Sequence, residues 1–116
     1  MKVTEIKTFF VDPGVTVEPG DTKTWLLVRV ETDEGIRGWG ECHTLLDRER
    51  GVAAYVDHIG NYLVGQNPLN IKHFTTVMYE DYADRQGSMD YFSAISGIEL
   101  ALWDITGKWF NAPVYN

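Results

Sequence analysis

Apolar and polar residues alternate along the first third of the chain, and this alternation predicts β-strands. Residues 2–11 are rich in β-branched and aromatic side chains, but their alternation is imperfect, which indicates a strand with a bulge. Residues 24–32 alternate cleanly, and the polar segment 33–35 ends in a glycine suited to a hairpin loop. Residues 36–42 then form the returning strand, whereas residues 12–23 hold two prolines and two glycines and are interpreted as a long loop.

The hairpin loop sets the register of the two strands, with Thr32 opposite Ile36. On one face this register brings together an opposite-charge pair and a cation beside an indole ring, and on the other face it places two glycines opposite valines. Glycines in a strand allow a neighbouring element to approach closely, so we interpret them as packing positions. The predicted pairs are Glu31–Arg37, Arg29–Trp39, Val30–Gly38 and Val28–Gly40.

The pattern changes to a helical period in the second half of the chain. A helix is predicted between Asp47, a favourable N-cap, and Gly65, and a second helix begins at Asn67-Pro68, where proline suits the first helical turn. A polar connection then leads to a third, strongly apolar helix within residues 92–113. The predicted fold is therefore α+β, with a three-stranded antiparallel meander followed by a bundle of three or four helices.

Two apolar arcs run along the third helix, separated by a narrow polar wedge. A helix that is apolar around most of its girth needs cover on several sides, so we interpret it as the central helix of the fold. We expect Trp103 to be buried and its replacement by alanine to lower the free energy of unfolding by about 3–5 kcal/mol. The first arc contains Ala94, Ile95, Ile98, Ala101, Leu102, Ile105 and Trp109, and the second contains Phe92, Leu100, Trp103 and Phe110.

The alternating direction of the strands predicts where the loops lie. The tight hairpin 33–35 lies at one end of the sheet, so the two long connections, residues 12–23 and 43–50, lie side by side at the other end. Loops on a rigid scaffold often hold binding residues, so this end is the expected place for a ligand.

Composition narrows the classes of function. A chain of 116 residues with 44% hydrophobic residues is long enough for one folded domain with its own core. The formal net charge of −7 argues against nucleic-acid or anionic-membrane partners, which bind basic surfaces, and no apolar run is long enough to span a membrane. Cys42 is the single cysteine, so no internal disulfide can form, and we expect a cytoplasmic protein.

Few residues in the chain have an obvious chemistry. The three histidines, His43, His58 and His73, lack the i, i+4 spacing of a helical metal site. Cys42 and His43 are neighbours on an extended strand and therefore point to opposite faces, which argues against a nucleophile–base pair. Glu99 lies between the two apolar arcs, and we expect it to have a structural ion-pair partner. The sequence by itself therefore predicts no catalytic and no metal-binding residue in this chain.

Two stretches resemble a known family. Residues 32–41, TDEGIRGWGE, and residues 93–116, SAISGIELALWDITGKWFNAPVYN, are similar to the N-terminal capping domain of the enolase superfamily, in particular its mandelate racemase and muconate lactonizing enzyme group. The resemblance covers nearly the whole chain. It implies that residues 1–116 are the capping domain of a protein of several hundred residues, whose C-terminal (β/α) barrel catalytic domain is absent from this chain.

The resemblance also implies different roles for the barrel and for the capping domain. In this family the barrel holds an essential Mg²⁺ and the acid/base groups that remove the proton α to a substrate carboxylate, while two loops of the capping domain select the substrate. Those loops correspond to residues 12–23 and 43–50. The implied partners are the protein's own barrel, a small carboxylate such as an acid sugar, and further copies of the chain. The implied substrate-binding residues are Glu18, His43, Arg48 and Glu49.

The reaction that the resemblance favours is the dehydration of an acid sugar such as gluconate or galactonate, because the polar residues of segment 43–50 suit a polyhydroxylated anion. Leu45 and Leu46 in the same segment would also suit the more apolar substrate of a racemase, epimerase or cycloisomerase of the group. An interpretation from a different class is a stand-alone α+β interaction module without enzymatic activity. A downstream segment of about 250 residues with alternating strands and helices would distinguish the barrel enzyme from such a module.

Overall fold

A three-stranded antiparallel sheet with helices packed on one face forms the framework of the protein. The computed structural model describes residues 1–12, 16–18, 21–22, 24–44, 48–81 and 89–115. The strands are β1 (Val3–Val11), β2 (Thr16–Glu18), β3 (Asp21–Thr22), β4 (Trp25–Thr32) and β5 (Arg37–Cys42). The helices are α1 (Glu49–Leu63), α2 (Ile71–Thr76), a π-helical turn (Val77–Asp81) that continues α2, and α3 (Met89–Phe110).

The predicted α+β order is confirmed, with a correction in the first long loop. The main sheet has the order β1-β4-β5, as a meander requires, and β2 and β3 form a separate two-stranded antiparallel sheet within residues 12–23. The prolines and glycines of that stretch predict only a long loop. Strands of three and two residues are too short to show a period of two, so the alternation of side chains could not reveal them.

Two local predictions about the sheet are confirmed by backbone geometry. The register between β1 and β4 shifts between Val3 and Glu5, which is the bulge indicated by the imperfect alternation of β1. Gly35 in the hairpin loop has a φ of 74°, a left-handed conformation that glycine adopts without strain. Both features follow from short stretches of sequence.

The predicted register of the β4–β5 hairpin is also confirmed. Glu31 pairs with Arg37 and Arg29 pairs with Trp39. The Glu31 Oε1 atom lies 3.3 Å from Arg37 Nε and 2.8 Å from Arg29 Nε. The Arg29 guanidinium carbon lies 5.6 Å from the centre of the Trp39 ring and 5.0 Å from that of Phe9. The outer face of the sheet is therefore held by one network of charged and aromatic side chains.

The closest contact between helix and sheet joins α3 to β5. A Cβ atom added at Gly38 would overlap the carbonyl oxygen of Ala101, and one added at Gly40 would overlap the carbonyl oxygen of Gly97. A Cβ atom at Gly97 would in turn overlap the sulfur of Cys42. Because these glycines have no side chain, the backbones of helix and strand lie directly against each other. The interpretation of the strand glycines as packing positions is confirmed.

Two side chains of α3 cover the outer edge of β5. Asp104 Oδ2 accepts a hydrogen bond of 2.9 Å from the backbone N–H of Trp39, and Lys108 Nζ donates one of 2.6 Å to the carbonyl oxygen of Arg37. Asp104 and Lys108 also form an ion pair of 2.9 Å with each other. Unpaired backbone groups at a sheet edge are open to pairing with another strand, so these contacts protect β5.

The first apolar arc of α3 is largely buried, whereas the second is largely exposed. Leu100, Trp103 and Phe110 of the second arc are 51%, 41% and 66% exposed, and Trp109, placed in the first arc, is 45% exposed. The expectation that Trp103 is buried within this chain is therefore wrong. A helical period shows which positions are apolar, but not which element covers them. The buried residues of the first arc are Ala94, Ile95, Ile98, Ala101, Leu102 and Ile105.

The predicted start of the second helix needs a correction. Asn67 Oδ1 accepts a hydrogen bond of 2.9 Å from the backbone N–H of Leu69, and the N–H of Asn70 bonds to the Asn67 carbonyl at 3.1 Å. These bonds close a separate turn, and α2 begins only at Ile71. An asparagine–proline pair favours such a turn as readily as a helix start, so the pattern could not separate the two. The predicted N-cap Asp47 lies outside the described residues.

We expect Gly40→Ala to lower the free energy of unfolding by about 2–3 kcal/mol, because the added methyl group would overlap the Gly97 carbonyl and force α3 away from β5. Urea-induced unfolding followed by tryptophan fluorescence would measure the change. Gly51→Ala is the matched control, since a methyl group in this exposed turn of α1 makes only ordinary contacts and should stabilise by up to about 1 kcal/mol. Equal losses in the two variants would contradict close packing of α3 on β5.

Candidate functional site

The two long connections leave the sheet at the same end, as strand direction predicts. Val11 at the end of β1 pairs with Trp25 at the start of β4. Cys42 at the end of β5 pairs with Leu26, the second residue of β4. The hydroxyl group of Thr44 donates a hydrogen bond of 3.4 Å to the carbonyl oxygen of Thr24. This bond joins the second residue after β5 to the residue immediately before β4. The two connections are therefore joined close to where they leave the sheet.

Arg48 ties the far end of the second connection to α3. Its Nε and Nη2 atoms donate hydrogen bonds of 3.2 Å and 2.9 Å to Oδ2 of Asp90, in the first turn of α3. The hydrogen bond and the charge of the Asp90 carboxylate raise the pKa of Arg48 above its ordinary value. The guanidinium group therefore stays charged, and 48% of the Arg48 side chain remains exposed.

The other predicted substrate-binding residues are distributed around the same end of the sheet. His43 is exposed immediately after β5, and Glu49 is half-buried at the first position of α1. Glu18 is the last residue of β2, and its side chain lies outside the described part of the structure, as do residues 45–47. Among the described side chains, no hydrogen bond or ion pair joins His43, Arg48 and Glu49 to one another.

The ion pairing of two acidic residues differs from what the sequence predicts. Asp90, for which the sequence predicts no ion-pair partner, pairs with Arg48 although 42 positions separate them. No local spacing relates two residues so far apart, so only the packing of the elements could reveal the pair. Glu99 is half-buried, but within the described ranges it has no hydrogen bond or ion pair, so the expected partner is not found there.

Cys42, the last residue of β5, is buried against Gly97 of α3. Burial, with a smaller contribution from the charge of Glu41, raises the pKa of the Cys42 thiol from 9.0 to about 12. A thiol that stays protonated at neutral pH is a poor nucleophile, which agrees with the interpretation from strand geometry.

Metal-binding residues do not come together in the parts of the chain described here. No group of three or more His, Cys, Asp or Glu side chains could hold an ion within those parts. These residues therefore do not fit the Mg²⁺ site that the resemblance implies for the whole enzyme. The same stretches contain no helix with the length and apolar character needed to cross a bilayer.

An apolar groove of about 690 Å³, here called the α3 groove, runs between β5 and α3. Its main apolar side chains are Leu27, Trp39, Leu100, Trp103 and Val114. Trp39 is 40% exposed, and Val114 beyond the end of α3 is 54% exposed. Contiguous exposed apolar surface of this kind often marks an interaction site.

A meander covered on one face by helices, with two long connections rooted at one end, defines an α+β domain of the capping type. Residues 5–116 match the family described as "Mandelate racemase / muconate lactonizing enzyme, N-terminal domain". The chain belongs to this family, and the resemblance to the capping domain of the enolase superfamily is confirmed.

Relatives and solved structures agree with this assignment. The chain is 42% identical over 115 residues to a D-galactonate dehydratase from Cronobacter sakazakii (strain ATCC BAA-894), a match that covers 99% of this chain and 27% of that relative. It resembles the 3,6-anhydro-D-galactonate cycloisomerase from Zobellia galactanivorans with a TM-score of 0.84 and 28% identity, over 98% of this chain and 30% of that one. A mandelate racemase/muconate lactonizing enzyme from Sulfitobacter sp has a TM-score of 0.82 and 32% identity, over 99% of this chain and 29% of that one. The chain thus spans about a quarter to a third of the length of these proteins.

We expect Cys42 in the folded protein to react with iodoacetamide at pH 8 at least about a hundredfold more slowly than in the unfolded protein, because its raised pKa suppresses the thiolate. Mass spectrometry of timed samples would measure both rates. Since the pKa is higher in the folded state, the stability due to the protonated thiol is complete below pH 9.0 and is lost as the pH rises towards about 12. Similar alkylation rates in the two states would show that Cys42 is accessible.

Proposed function

We propose that this chain is the substrate-capping domain of an acid-sugar dehydratase, which removes the proton α to a carboxylate and eliminates water. The observation that supports this most directly is the shared end of the sheet, where Thr44 and Thr24 join the two connections and Arg48 presents a cation. The similarity to a D-galactonate dehydratase favours a polyhydroxylated carboxylate such as galactonate or gluconate as the substrate.

In this proposal the bond chemistry belongs to a C-terminal (β/α) barrel domain that this chain does not include. The chain spans 27% of the length of the D-galactonate dehydratase that it resembles, which leaves room for such a domain. The barrel would hold the Mg²⁺ and the acid/base groups, and the ion, when bound, would stabilise the negative charge that follows loss of the α-proton. The exposed α3 groove is the surface of this chain that we assign to packing against the barrel.

Within this chain we assign substrate contact to Glu18, His43, Arg48 and Glu49. A guanidinium group binds a carboxylate through two parallel N–H donors, and imidazole and carboxylate groups bind sugar hydroxyls. Contacts from a capping domain of this kind would select the substrate and exclude water without taking part in bond cleavage.

A racemase, epimerase or cycloisomerase of the same group is the second candidate. The structural similarity to a 3,6-anhydro-D-galactonate cycloisomerase favours it, because that protein has the same capping fold at 28% identity. The mass of the product would distinguish the two, since a dehydratase releases water and an isomerase leaves the composition unchanged. A stand-alone interaction module is the remaining alternative, and the full open reading frame would test it.

The cellular location and the oligomeric state of the enzyme are part of the same proposal. We place it in the cytoplasm, where the free thiol of Cys42 would stay reduced, and we propose that it assembles from several copies of the chain.

We expect His43→Ala in the full-length protein to raise KM for D-galactonate by about threefold to thirtyfold, with little change in kcat or in Mg²⁺ affinity, because it removes a substrate contact outside the reacting centre. Steady-state kinetics and metal titration would measure these quantities. His58→Ala is the matched control, because His58 is also exposed but lies in the middle of α1. Loss of α-proton exchange in D₂O with normal substrate binding would instead make His43 part of the acid/base machinery.

We expect Leu100→Ser to destabilise the full-length protein by about 2 kcal/mol more than it destabilises residues 1–116 alone, because a barrel on the α3 groove would bury this side chain. Denaturant unfolding of both forms would measure the difference. Val64→Ser is the control, since Val64 is 47% exposed, close to the 51% of Leu100, but lies outside the α3 groove. Equal effects of Leu100→Ser in the two forms would argue against packing on this groove.

A further inference from the structure

The position of α3 on β5 brings its first turn to the loop end of the sheet. Gly97 packs on Cys42 and Ala101 packs on Gly38, so α3 runs antiparallel to β5. The residues of α3 before Gly97 therefore extend past the end of that strand. Asp90 lies about 10 Å farther along the helix, at a rise of about 1.5 Å per residue. The carboxylate of Asp90 thereby meets Arg48 at the end of the second connection.

The Asp90 carboxylate is well enclosed for a surface residue. Only 17% of its side chain is exposed, compared with 35% for Asp104 in the other acid–base pair of α3. It also lies against the start of α1, since a Cβ atom added at Gly51 would be 3.5 Å from Asp90 Oδ2. The carboxylate, which belongs to α3, thus lies beside the first turn of α1, and its limited freedom makes it a well-placed partner for the flexible side chain of Arg48.

Among the described residues, Asp90 is the only hydrogen-bond partner of the Arg48 guanidinium group, and its bonds use one side of that group. A guanidinium group has five N–H donors, and Asp90 takes one from Nε and one from Nη2. The two donors of Nη1 and the second donor of Nη2 have no partner within the described ranges, and 48% of the Arg48 side chain is exposed. Two parallel donors on Nη1 and Nη2 are the arrangement that binds a carboxylate through both oxygens.

We propose that Asp90 is a positioning residue that orients Arg48, so that the free edge of its guanidinium group binds the carboxylate or neighbouring hydroxyls of an acid-sugar substrate. This inference rests on the proposed function and extends it by a residue that does not itself touch the substrate. An arginine side chain loses much rotational freedom on binding, so a partner that holds it beforehand improves affinity without new substrate contacts. Asp90 acts on substrate affinity only through Arg48.

The test is steady-state kinetics of the full-length protein with D-galactonate as the probe. We expect Arg48→Ala to raise KM about tenfold to thirtyfold, and Asp90→Ala to raise it about fivefold to tenfold, with kcat within about twofold of the wild type in both. Because Asp90 acts through Arg48, the double variant should have the KM of Arg48→Ala alone. Arg48→Lys should not restore affinity, since an ammonium group paired with Asp90 has no second planar edge.

Control variants separate positioning from stability. Asp104→Asn removes the ion pair of 2.9 Å at the other end of α3 and should leave KM unchanged. Asp90→Asn keeps the shape of the side chain and should raise KM less than Asp90→Ala, which provides a second variant if Asp90→Ala does not fold. Thermal unfolding of every variant shows whether a change in KM follows a loss of structure.

Three results would overturn the inference, and each differs from failure of the proposed function. Arg48→Ala could raise KM while Asp90→Ala leaves it unchanged. The effects of the two variants could add in the double variant, so that Asp90 acts elsewhere. Arg48→Ala could also leave KM unchanged while the wild type turns over D-galactonate, which would make the pair purely structural. If the wild type dehydrates none of a panel of acid sugars, the proposed function fails and the inference fails with it.

Discussion

The contact between the backbones of α3 and β5 is the constraint on which the other features depend. Glycines at positions 38, 40 and 97 allow helix and strand to meet without intervening side chains, and this fixes both the distance and the register of the helix. At that distance Asp104 and Lys108 reach the open edge of β5 and bond to it. In that register the first turn of α3 extends past the strand to Arg48. This single close contact thus determines how the C-terminal half of α3 protects the edge of β5. It also determines how the first turn of α3 forms the ion pair between Asp90 and Arg48.

The α3 helix links the two surfaces to which we assign a function. One arc packs on the sheet and α1, the opposite arc forms part of the exposed α3 groove, and the first turn holds the end of the second connection. If a barrel domain packs in the groove, the helix is enclosed on both sides, which is the environment that its two apolar arcs indicate. The loop end would then be fixed relative to the barrel through Asp90 and Arg48. The domain would in this way supply affinity and selectivity at a site whose chemistry lies elsewhere.

Predictions made from local patterns agreed best with the structure. The register of the β4–β5 hairpin and the left-handed Gly35 follow from a few adjacent residues, and both are confirmed. The shared end of the two connections followed from strand direction alone, and the Thr44–Thr24 bond agrees with it. The very short strands β2 and β3 and the true start of α2 were missed, because their patterns are too short or too ambiguous. The apolar helical period predicts that Trp103 is buried, whereas 41% of it is exposed in this chain.

By itself, the sequence determined the class of fold and the register of the β4–β5 hairpin. The sequence motif of its third helix also indicated the family. These properties depend on neighbouring residues or on a periodic pattern, which a linear chain displays directly. Tertiary structure alone decided that Asp90 meets Arg48 across 42 positions, that Glu99 lacks the expected partner among the described residues, and that one arc of α3 faces solvent. Those outcomes depend on how a helix is placed on a sheet. That placement is the sum of many weak packing contacts between distant segments, and no single stretch of sequence contains it.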